Sequence, residues 1–259
     1  MTPQAKELKL KELLADWQEI VVAYSGGVDS SYLMDIAYET LGDKALAIIA
    51  DSPSIPRSEL QEAIDLAKSR NWPLQVITTE EQHNESYQAN EGNRCYFCKD
   101  ELFTKMTQFA KEQKWNKLAY GAIIDDLSDH RPGAQAAEES HILAPLQLAE
   151  FSKAEIRILS EARKLPTASK ASFACLASRL PVGEKVTVSK LSQIEMAEEI
   201  LKSIGLQQYR ARHHDNICRI ETSPEEFPIV IENHTFLDKE IKKLGYKFVS
   251  LDLAGYRTG

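Results

Sequence analysis

Residues Ile20–Ser31 read IVVAYSGGVDSS. A short run rich in β-branched residues, Ile20–Tyr24, is followed by a glycine-rich turn. Apolar residues then recur with helical spacing until Gly42. The order predicts a buried strand, a tight turn and a helix, which is how a parallel α/β sheet places a ligand site at a strand end.

The turn Ser25-Gly26-Gly27-Val28-Asp29-Ser30, with Ser31 after it, has the chemistry of a phosphate site. Glycines let backbone N–H groups point at an anion, hydroxyls add donors, and the positive end of the next helix favours negative charge. Asp29 would repel phosphate unless a cation lay between them, so it predicts bound Mg²⁺. A glycine turn that merely caps a helix is the alternative. The turn matches neither GxxxxGK[ST] nor GxGxxG.

The rest of the first 166 residues continues the alternation of strand and helix. Strands are predicted at 44–51, 74–78 and 118–124, and helices at 57–70, 100–114 and 152–163. This alternation predicts an α/β fold, a parallel sheet with helices on both faces. The segment after it contains elements of both kinds in short succession, which predicts a small C-terminal α+β domain. The predicted domains are 1–166, a site loop or linker at 167–184, and 185–259.

The composition and charge of the chain argue against several classes of protein. The chain has 259 residues, 31 Lys and Arg against 39 Asp and Glu, and a formal net charge of −8. The acidic balance speaks against a general nucleic-acid binder. Apolar runs such as Ala45–Ala50 are far shorter than the ~20 residues of a membrane helix. The N-terminal stretch lacks the pattern of a secretory signal. We therefore expect a cytoplasmic protein with no membrane or nucleic-acid partner, whose four cysteines are ligands or reagents rather than bridges.

The motif SGGVDSS resembles the PP-loop of the N-type ATP pyrophosphatases, which cleave ATP between the α- and β-phosphates. That resemblance implies an adenine nucleotide alpha hydrolase-like domain. Five further motifs resemble the LarE family of sulfur transferases, which help to build the nickel-pincer cofactor of lactate racemase. They are NRCYFCK (93–99), DDLSDHRPG (125–133), ACLASR (174–179), RARHHDNICRIE (210–221) and GYR (255–257). The resemblance implies that ATP adenylates the carboxylates of pyridinium-3,5-biscarboxylic acid mononucleotide, and that sulfur converts them to thiocarboxylates.

The resemblance also implies roles for the cysteines. In one form of the family a single cysteine, here Cys175, gives up its sulfur and becomes dehydroalanine. Cys95 and Cys98 match a three-cysteine form instead, in which the three thiolates hold a [4Fe–4S] cluster with one iron open to hydrosulfide. We favour the cluster over two alternatives. In a structural zinc site, C-x-x-C would supply only two of the four ligands that zinc needs. In a thioredoxin-type redox pair, C-x-x-C opens a helix directly after a strand, whereas here it is expected to follow a polar loop. Cys218, flanked by isoleucines, is predicted to be a core residue.

Other positions of these motifs complete the predicted site. Guanidinium groups suit a substrate with two carboxylates and a phosphate, and Lys99 would neutralise the α-phosphate. The predicted substrate residues are Ser178, Arg179, Arg210, Arg212, Glu221 and Arg257, with Glu198 a weaker candidate; Ser52, Gly121 and Asp125 are assigned to the nucleotide. His213 and His214 are predicted to be structural, and Asp126 is a further candidate for ribose or metal. Expected partners are the nucleotide substrate, a second copy of the chain and other proteins of nickel-pincer cofactor synthesis.

Two other functions fit part of the sequence. A tRNA-thiolating PP-loop enzyme would also use C-x-x-C, but it should carry a basic RNA-binding segment, and the chain has no run of Lys or Arg. A non-catalytic adenine-nucleotide sensor would share the fold, but it would have no use for paired cysteines and clustered arginines.

Overall fold

The computed structural model describes residues 1–128, 132–171 and 174–257. The chain divides into two compact units, which are described separately. One contains residues 1–87 and 93–171, and the other contains residues 88–92 and 174–257. Positions 129–131 of the predicted DDLSDHRPG motif and positions 172–173 of the predicted linker lie outside the described residues.

The first unit is built on a four-stranded parallel sheet. Its strands are β1 (Ile20–Ala23), β2 (Ala45–Asp51), β3 (Leu74–Thr78) and β4 (Leu118–Tyr120), in the order β3-β2-β1-β4. Its helices are α1 (Pro3–Trp17), α2 (Val28–Leu41), α3 (Arg57–Ser69), α4 (Glu85–Ala89), α5 (Arg94–Gln113), α6 (Pro132–Glu139), α7 (Pro145–Leu148) and α8 (Lys153–Ala162). Every strand pair is parallel, which confirms the predicted α/β class.

Alternation along the strands produces two cores, one on each face of the sheet. Ile20 and Val22 of β1 belong to a cluster that includes buried side chains of α1, α2, α3 and α8. Val21, between them, belongs to a second cluster with Phe103 and Met106 of α5. Helices therefore cover both faces, as the near-continuous apolar strands predict.

Two boundaries differ from the prediction. The helix expected to begin near Asp100 begins at Arg94, so that Cys95 and Cys98 lie in its first turns rather than in a loop. The strand expected to run to Ile124 ends at Tyr120, and a short 3₁₀ helix covers Ile124–Ser128. The first turns could not be recognised because their residues are exposed or half-buried, and apolar periodicity marks only the buried part of a helix.

The second unit is a small α+β assembly, as predicted. Antiparallel strands β5 (Tyr209–His214) and β6 (Ile217–Thr222) pair, and β7 (Phe248–Leu251) joins β6 in parallel. Helices α9 (Val188–Ser203), α10 (Phe227–Glu232) and α11 (His234–Lys243) complete it. Side chains of α9, α10, α11 and the sheet form one apolar cluster that includes the fully buried Cys218.

Within the part of the chain that the structure describes, no helix has the length and apolar character needed to cross a membrane.

Candidate functional site

The glycine-rich loop joins β1 to α2 at the carboxyl edge of the parallel sheet. The backbone N–H of Ser25 donates to Ser30 Oγ at 3.2 Å, and Ser30 Oγ donates to the carbonyl of Gly27 at 3.2 Å. The N–H of Gly27 donates to Ser25 Oγ at 3.3 Å. These bonds hold the loop around the start of α2, where unpaired N–H groups make an anion site. Ser31 is fully buried, and phosphate contacts of the three serines stay predictions.

Two glycines bring other parts of the unit against this loop. Gly26 has φ +71°, and a Cβ built there would lie 2.6 Å from Cβ of Ala63 on α3. A Cβ at Gly121, just after β4, would lie 2.9 Å from the backbone N of Ser30. Both distances are shorter than a side chain permits, so glycine is required at each position. Gly121, predicted to contact the nucleotide, thus packs against the backbone that carries the predicted phosphate site.

We expect Gly26→Ala to destabilise the protein more than Gly42→Ala does. Both positions have positive φ, so both variants incur the cost of a left-handed conformation. No atom lies within 4 Å of a Cβ at Gly42, whereas Gly26 meets Ala63. The difference in free energy of unfolding, measured by urea titration, should be about 1–3 kcal/mol. Equal losses would show that α3 yields freely to the new methyl group.

Asp29, the second residue of α2, is largely buried and lies against Lys153 of α8. Lys153 Nζ donates to Asp29 Oδ2. The other oxygen, Oδ1, is buried and has no hydrogen-bond partner among the described residues. Burial raises the pKa of the Asp29 carboxyl, and the hydrogen bond and charge of Lys153 oppose that rise. A buried carboxylate oxygen without a donor suits a hard cation, so the residues present fit Mg²⁺.

Lys153, which contacts Asp29, was not among the residues predicted for the site. Ser152 and Glu155 form a capping box at the start of α8, which makes Lys153 its first residue. The backbone N–H of Lys153 also donates to Asp125 Oδ2 at 2.7 Å. Asp125, predicted to touch the nucleotide, therefore fixes the helix end that holds the lysine. The capping box can be recognised in the sequence. The contact of Lys153 with Asp29 cannot, because the two residues are 124 positions apart.

Lys99 of α5 extends beside the end of β4. Its Nζ lies 5.1 Å from the centroid of the Tyr120 ring, a cation–π contact. A Cβ at Gly133 would lie 2.6 Å from Cδ of Lys99, so the Lys99 side chain packs directly against that glycine. Lys99, Tyr120, Asp126 and Gln147 are among the residues that line a cavity of about 560 Å³. The lysine is thus held at a cavity next to the strand that adjoins β1.

Cys95 and Cys98 are three residues apart at the start of α5, which places both thiols on one side of the helix. Cys95 is exposed and Cys98 is half-buried. The pair opens a helix, as in redox motifs, but the preceding element is the short helix α4 and not a strand. Across the described ranges, no three His, Cys, Asp or Glu side chains form a group that could hold a metal ion.

In the second unit, Cys175 precedes a 3₁₀ turn, Leu176–Arg179, and is half-buried. Arg179 lies almost wholly inside the unit, with its Nε 2.8 Å from Glu198 Oε1. Its Nη1 donates to the carbonyls of Ala174 and Cys175 at 2.6 and 3.2 Å, and to Ser178 Oγ at 3.0 Å. The guanidinium therefore fixes the loop that presents Cys175. Contact of Arg179 or Ser178 with substrate stays a prediction.

More cations gather on the paired strands of this unit. Arg212 Nε lies 3.0 Å from Glu221 Oε1 and its Nη1 donates to the carbonyl of Ser178 at 2.7 Å. Arg210 lies over the Tyr256 ring at 4.4 Å and donates to the carbonyl of Arg257 at 2.8 Å. Burial lowers the pKa of the Arg210 guanidinium, and the charges of Arg179 and Arg212 lower it further. Crowded guanidinium groups of this kind favour an anionic ligand.

Three further residues belong to the surroundings of Arg210 and Arg212. Arg219, which was not predicted for the site, also donates to Glu221 Oε1 at 2.9 Å, because the two residues are two apart on β6 and share one face. Arg219 lies opposite Arg212 in the strand register. The Glu221 oxygen Oε2 is buried without a partner in the described structure. The Arg257 residue is exposed. These positions leave Glu221 as the carboxylate that orients two arginines.

Two of the residues predicted to be structural, His213 and Cys218, are buried. A structural role for His214, whose Nε2 is buried without a hydrogen-bond partner among the described residues, stays a prediction. His213 is buried, with Nδ1 2.9 Å from the Tyr246 hydroxyl. Burial raises the pKa of the Cys218 thiol to about 12, so Cys218 is an inert core residue at neutral pH. Glu198, besides holding Arg179, accepts the backbone N–H of Ala211 at 3.1 Å.

Comparison with known proteins places the chain in a family. No established protein-family model matches it. The protein slr1717 of Synechocystis sp., described as uncharacterized, is 38% identical over 258 residues, which cover 99% of this chain and 96% of that protein. The chain belongs to the slr1717 family.

Two relatives with named activities also align along the whole chain. Pyridinium-3,5-bisthiocarboxylic acid mononucleotide synthase of Lactiplantibacillus plantarum is 29% identical over 259 residues, which cover 100% of this chain and 94% of the synthase. A component of the glutamine-hydrolyzing GMP synthase of Sulfurisphaera tokodaii is 25% identical over 279 aligned positions, covering 99% of this chain and 70% of that component. The second relative supports a place for the slr1717 family in the PP-loop superfamily.

Proposed function

We propose that the protein is an ATP-dependent sulfur transferase that converts the carboxylates of pyridinium-3,5-biscarboxylic acid mononucleotide to thiocarboxylates, in synthesis of the nickel-pincer cofactor. The observation that carries the proposal is the Asp29 carboxylate of the SGGVDSS motif, which has one buried oxygen without a hydrogen-bond partner among the described residues. Full-length similarity to the synthase of L. plantarum supports the choice of substrate within the PP-loop superfamily. The proposed enzyme uses ATP and Mg²⁺.

The first step forms an acyl adenylate. An oxygen of the substrate carboxylate attacks the α-phosphorus of ATP, and the bond from that phosphorus to the oxygen bridging the α- and β-phosphates breaks. Pyrophosphate leaves with the bonding electron pair. Bound Mg²⁺ would neutralise charge on the phosphates, with Asp29 as its protein ligand. The loop N–H groups hold the leaving pyrophosphate, and the ammonium groups of Lys153 and Lys99 stabilise negative charge that develops at the phosphates.

The arginines of the second unit are proposed to bind the anionic groups of the pyridinium mononucleotide. Arg210 and Arg212 lie on one face of β5, two residues apart, and Glu221 holds Arg212 by a charge-assisted hydrogen bond. Burial lowers the pKa of Arg210, and the charges of Arg179 and Arg212 lower it further; a bound phosphate or carboxylate would offset the repulsion among these cations.

We expect Arg212→Ala to raise the KM for the pyridinium mononucleotide roughly tenfold or more, because a charge-assisted hydrogen bond is lost. The KM for ATP should change less than about twofold, a change too small to represent a lost hydrogen bond. Steady-state pyrophosphate release at varied concentrations of each substrate measures both constants. Lys242→Ala, which removes an exposed cation of α11, is the control and should change neither. Equal effects of Arg212→Ala on both constants would assign Arg212 to the nucleotide.

Two sources of sulfur are proposed, and the first is preferred. In the first, Cys95, Cys98 and Cys175 hold a [4Fe–4S] cluster. The i, i+3 spacing of two thiols on one helical turn supports it, but no three-ligand group is preformed in the described residues, so we assign no reaction step to a cluster. In the second, Cys175 Sγ attacks the acyl carbon and displaces AMP. Loss of the Cys175 Cα proton and cleavage of its Cβ–S bond then leave dehydroalanine and the thiocarboxylate.

The test of the proposed function is whether the pyridinium mononucleotide stimulates ATP cleavage. Wild-type protein with Mg²⁺ and ATP should release pyrophosphate and AMP, rather than phosphate and ADP, when that substrate is added. Nicotinic acid mononucleotide has a single ring carboxylate. Comparing ATP cleavage in its presence with cleavage in the presence of the dicarboxylate shows how far stimulation depends on the second carboxylate. ATP cleavage that no carboxylate stimulates would oppose the proposal.

A further inference from the structure

A buried polar cluster that includes Ser52 lies after the ends of β2 and β3. We define the Glu81 cluster as Ser52, Ser54, Glu81 and Tyr87, whose exposed fractions are 2%, 3%, 2% and 1%. Ser52 Oγ and Ser54 Oγ both donate to Glu81 Oε1, the latter at 3.2 Å. Ser54 Oγ also lies 2.5 Å from the Tyr87 hydroxyl. Two serines therefore fix one oxygen of a deeply buried carboxylate.

The other oxygen of Glu81 is unsatisfied. Oε2 is buried and has no hydrogen-bond partner, and no Lys, Arg or His of the described ranges forms an ion pair with Glu81. Burial of a carboxylate oxygen without a donor or a cation is costly, so a bound group is expected to complete Oε2. The missing partner is a hydrogen-bond donor.

The position of the cluster indicates which donor. The strand order β3-β2-β1-β4 places β3 two strands from β1, about 10 Å away at ordinary strand spacing. The glycine-rich loop follows β1, and Ser52 and Glu81 follow β2 and β3 at the same carboxyl edge. A nucleotide with its phosphates at the loop therefore extends its base, rather than its ribose, toward Glu81. A metal ion bound to the phosphates would lie at the glycine-rich loop, two strands from β3, so the position of Glu81 Oε2 favours a donor on the base over a metal ion.

Resting on the proposed use of ATP, we propose that Glu81 is the residue that selects adenine, its Oε2 accepting a hydrogen bond from the 6-amino group of the base. Guanine and hypoxanthine carry a carbonyl oxygen at that position, which a carboxylate repels. A site that leaves a buried polar group unpaired with the wrong ligand discriminates strongly. Ser52, predicted to contact adenine directly, instead acts by orienting Glu81.

The experiment compares direct binding of ATP and ITP, which differ at position 6 of the base, by calorimetry with Mg²⁺ and no acyl acceptor. Wild-type protein should bind ATP at least about tenfold more tightly than ITP, since a hydrogen bond to a charged group is lost. Glu81→Gln should bring the two affinities within about threefold, because the amide can donate to the hypoxanthine carbonyl. Glu80→Gln, which alters the neighbouring exposed carboxylate paired with Lys105, should keep the wild-type ratio.

Two results would overturn the inference. One is a wild-type protein that binds ATP and ITP equally, a result that needs no variant to fold. The other is a folded Glu81→Gln protein that keeps the wild-type ratio while both affinities fall together, which is the mark of a structural role. Because no acyl acceptor is present, selective ATP binding through Glu81 would uphold the inference even if sulfur transfer were not found.

Discussion

Asp29→Ala is expected to lower the rate of pyrophosphate release from ATP by at least ~100-fold, the usual effect of removing one preorganised group that stabilises a charged transition state. Asp29 offers a buried carboxylate oxygen without a partner at the loop that is proposed to hold the phosphates. Its removal takes away the proposed protein ligand of Mg²⁺ and leaves Lys153 without its ion-pair partner. Pyrophosphate release with saturating ATP and acyl acceptor measures the loss.

The fold should survive this substitution. The Lys153 side chain is 40% exposed, so water can solvate its ammonium once the carboxylate is gone. Burial raises the pKa of Asp29, which means that the ionised group is poorly solvated where it lies. The melting temperature of Asp29→Ala should therefore stay near that of the wild type, and Asp29→Asn, which preserves side-chain volume, should show the same loss of activity. Normal pyrophosphate release by either variant would refute the assigned role.

Substitution of the cysteines should separate the two proposed sulfur sources. If Cys95, Cys98 and Cys175 bind one cluster, each change to Ala should remove most of the iron and the brown colour that accompanies it. Cys218→Ala should retain both, because the Cys218 thiol is buried in the apolar cluster of the second unit. Iron and sulfide content per chain after anaerobic purification, together with the visible spectrum, measures the outcome.

Use of Cys175 as the sulfur donor would give a different result. If Cys175 is consumed, protein without iron should transfer sulfur once per chain, and its Cys175 peptide should become lighter by the mass of H₂S. Intact Cys175 after many turnovers supports the cluster. Iron-free, active protein with a lightened Cys175 would show that the paired cysteines of α5 have another use.

Much of the fold could be predicted from local patterns. Ile20–Ser31 contains a buried strand, a glycine turn and a helix start in succession, and each is a short-range property of the chain. Apolar runs at β2 and β3 identified the neighbouring strands for the same reason. The start of α5 at Arg94 could not be predicted from periodicity, since no residue of its first turn is buried.

The candidate site was predictable where a motif is contiguous, and less so where partners are distant. Lys153 donates a hydrogen bond to Asp29, which lies 124 residues earlier in the sequence. Glu81 accepts one from Ser52, which lies 29 residues earlier. Arg219 gains its place from the strand register that sets it opposite Arg212. Such pairs depend on the tertiary fold, so a single sequence shows the residue types without showing which of them meet.

Mass spectrometry of the product can detect ATP-dependent sulfur transfer to the pyridinium dicarboxylate. The wild-type protein would be incubated anaerobically with Mg²⁺, ATP, sulfide and pyridinium-3,5-biscarboxylic acid mononucleotide. We expect a product in which sulfur replaces one oxygen in one or both carboxylates, with one AMP and one pyrophosphate released per replacement. Release of AMP and pyrophosphate with no sulfur in the recovered mononucleotide would show that the protein is not this sulfur transferase.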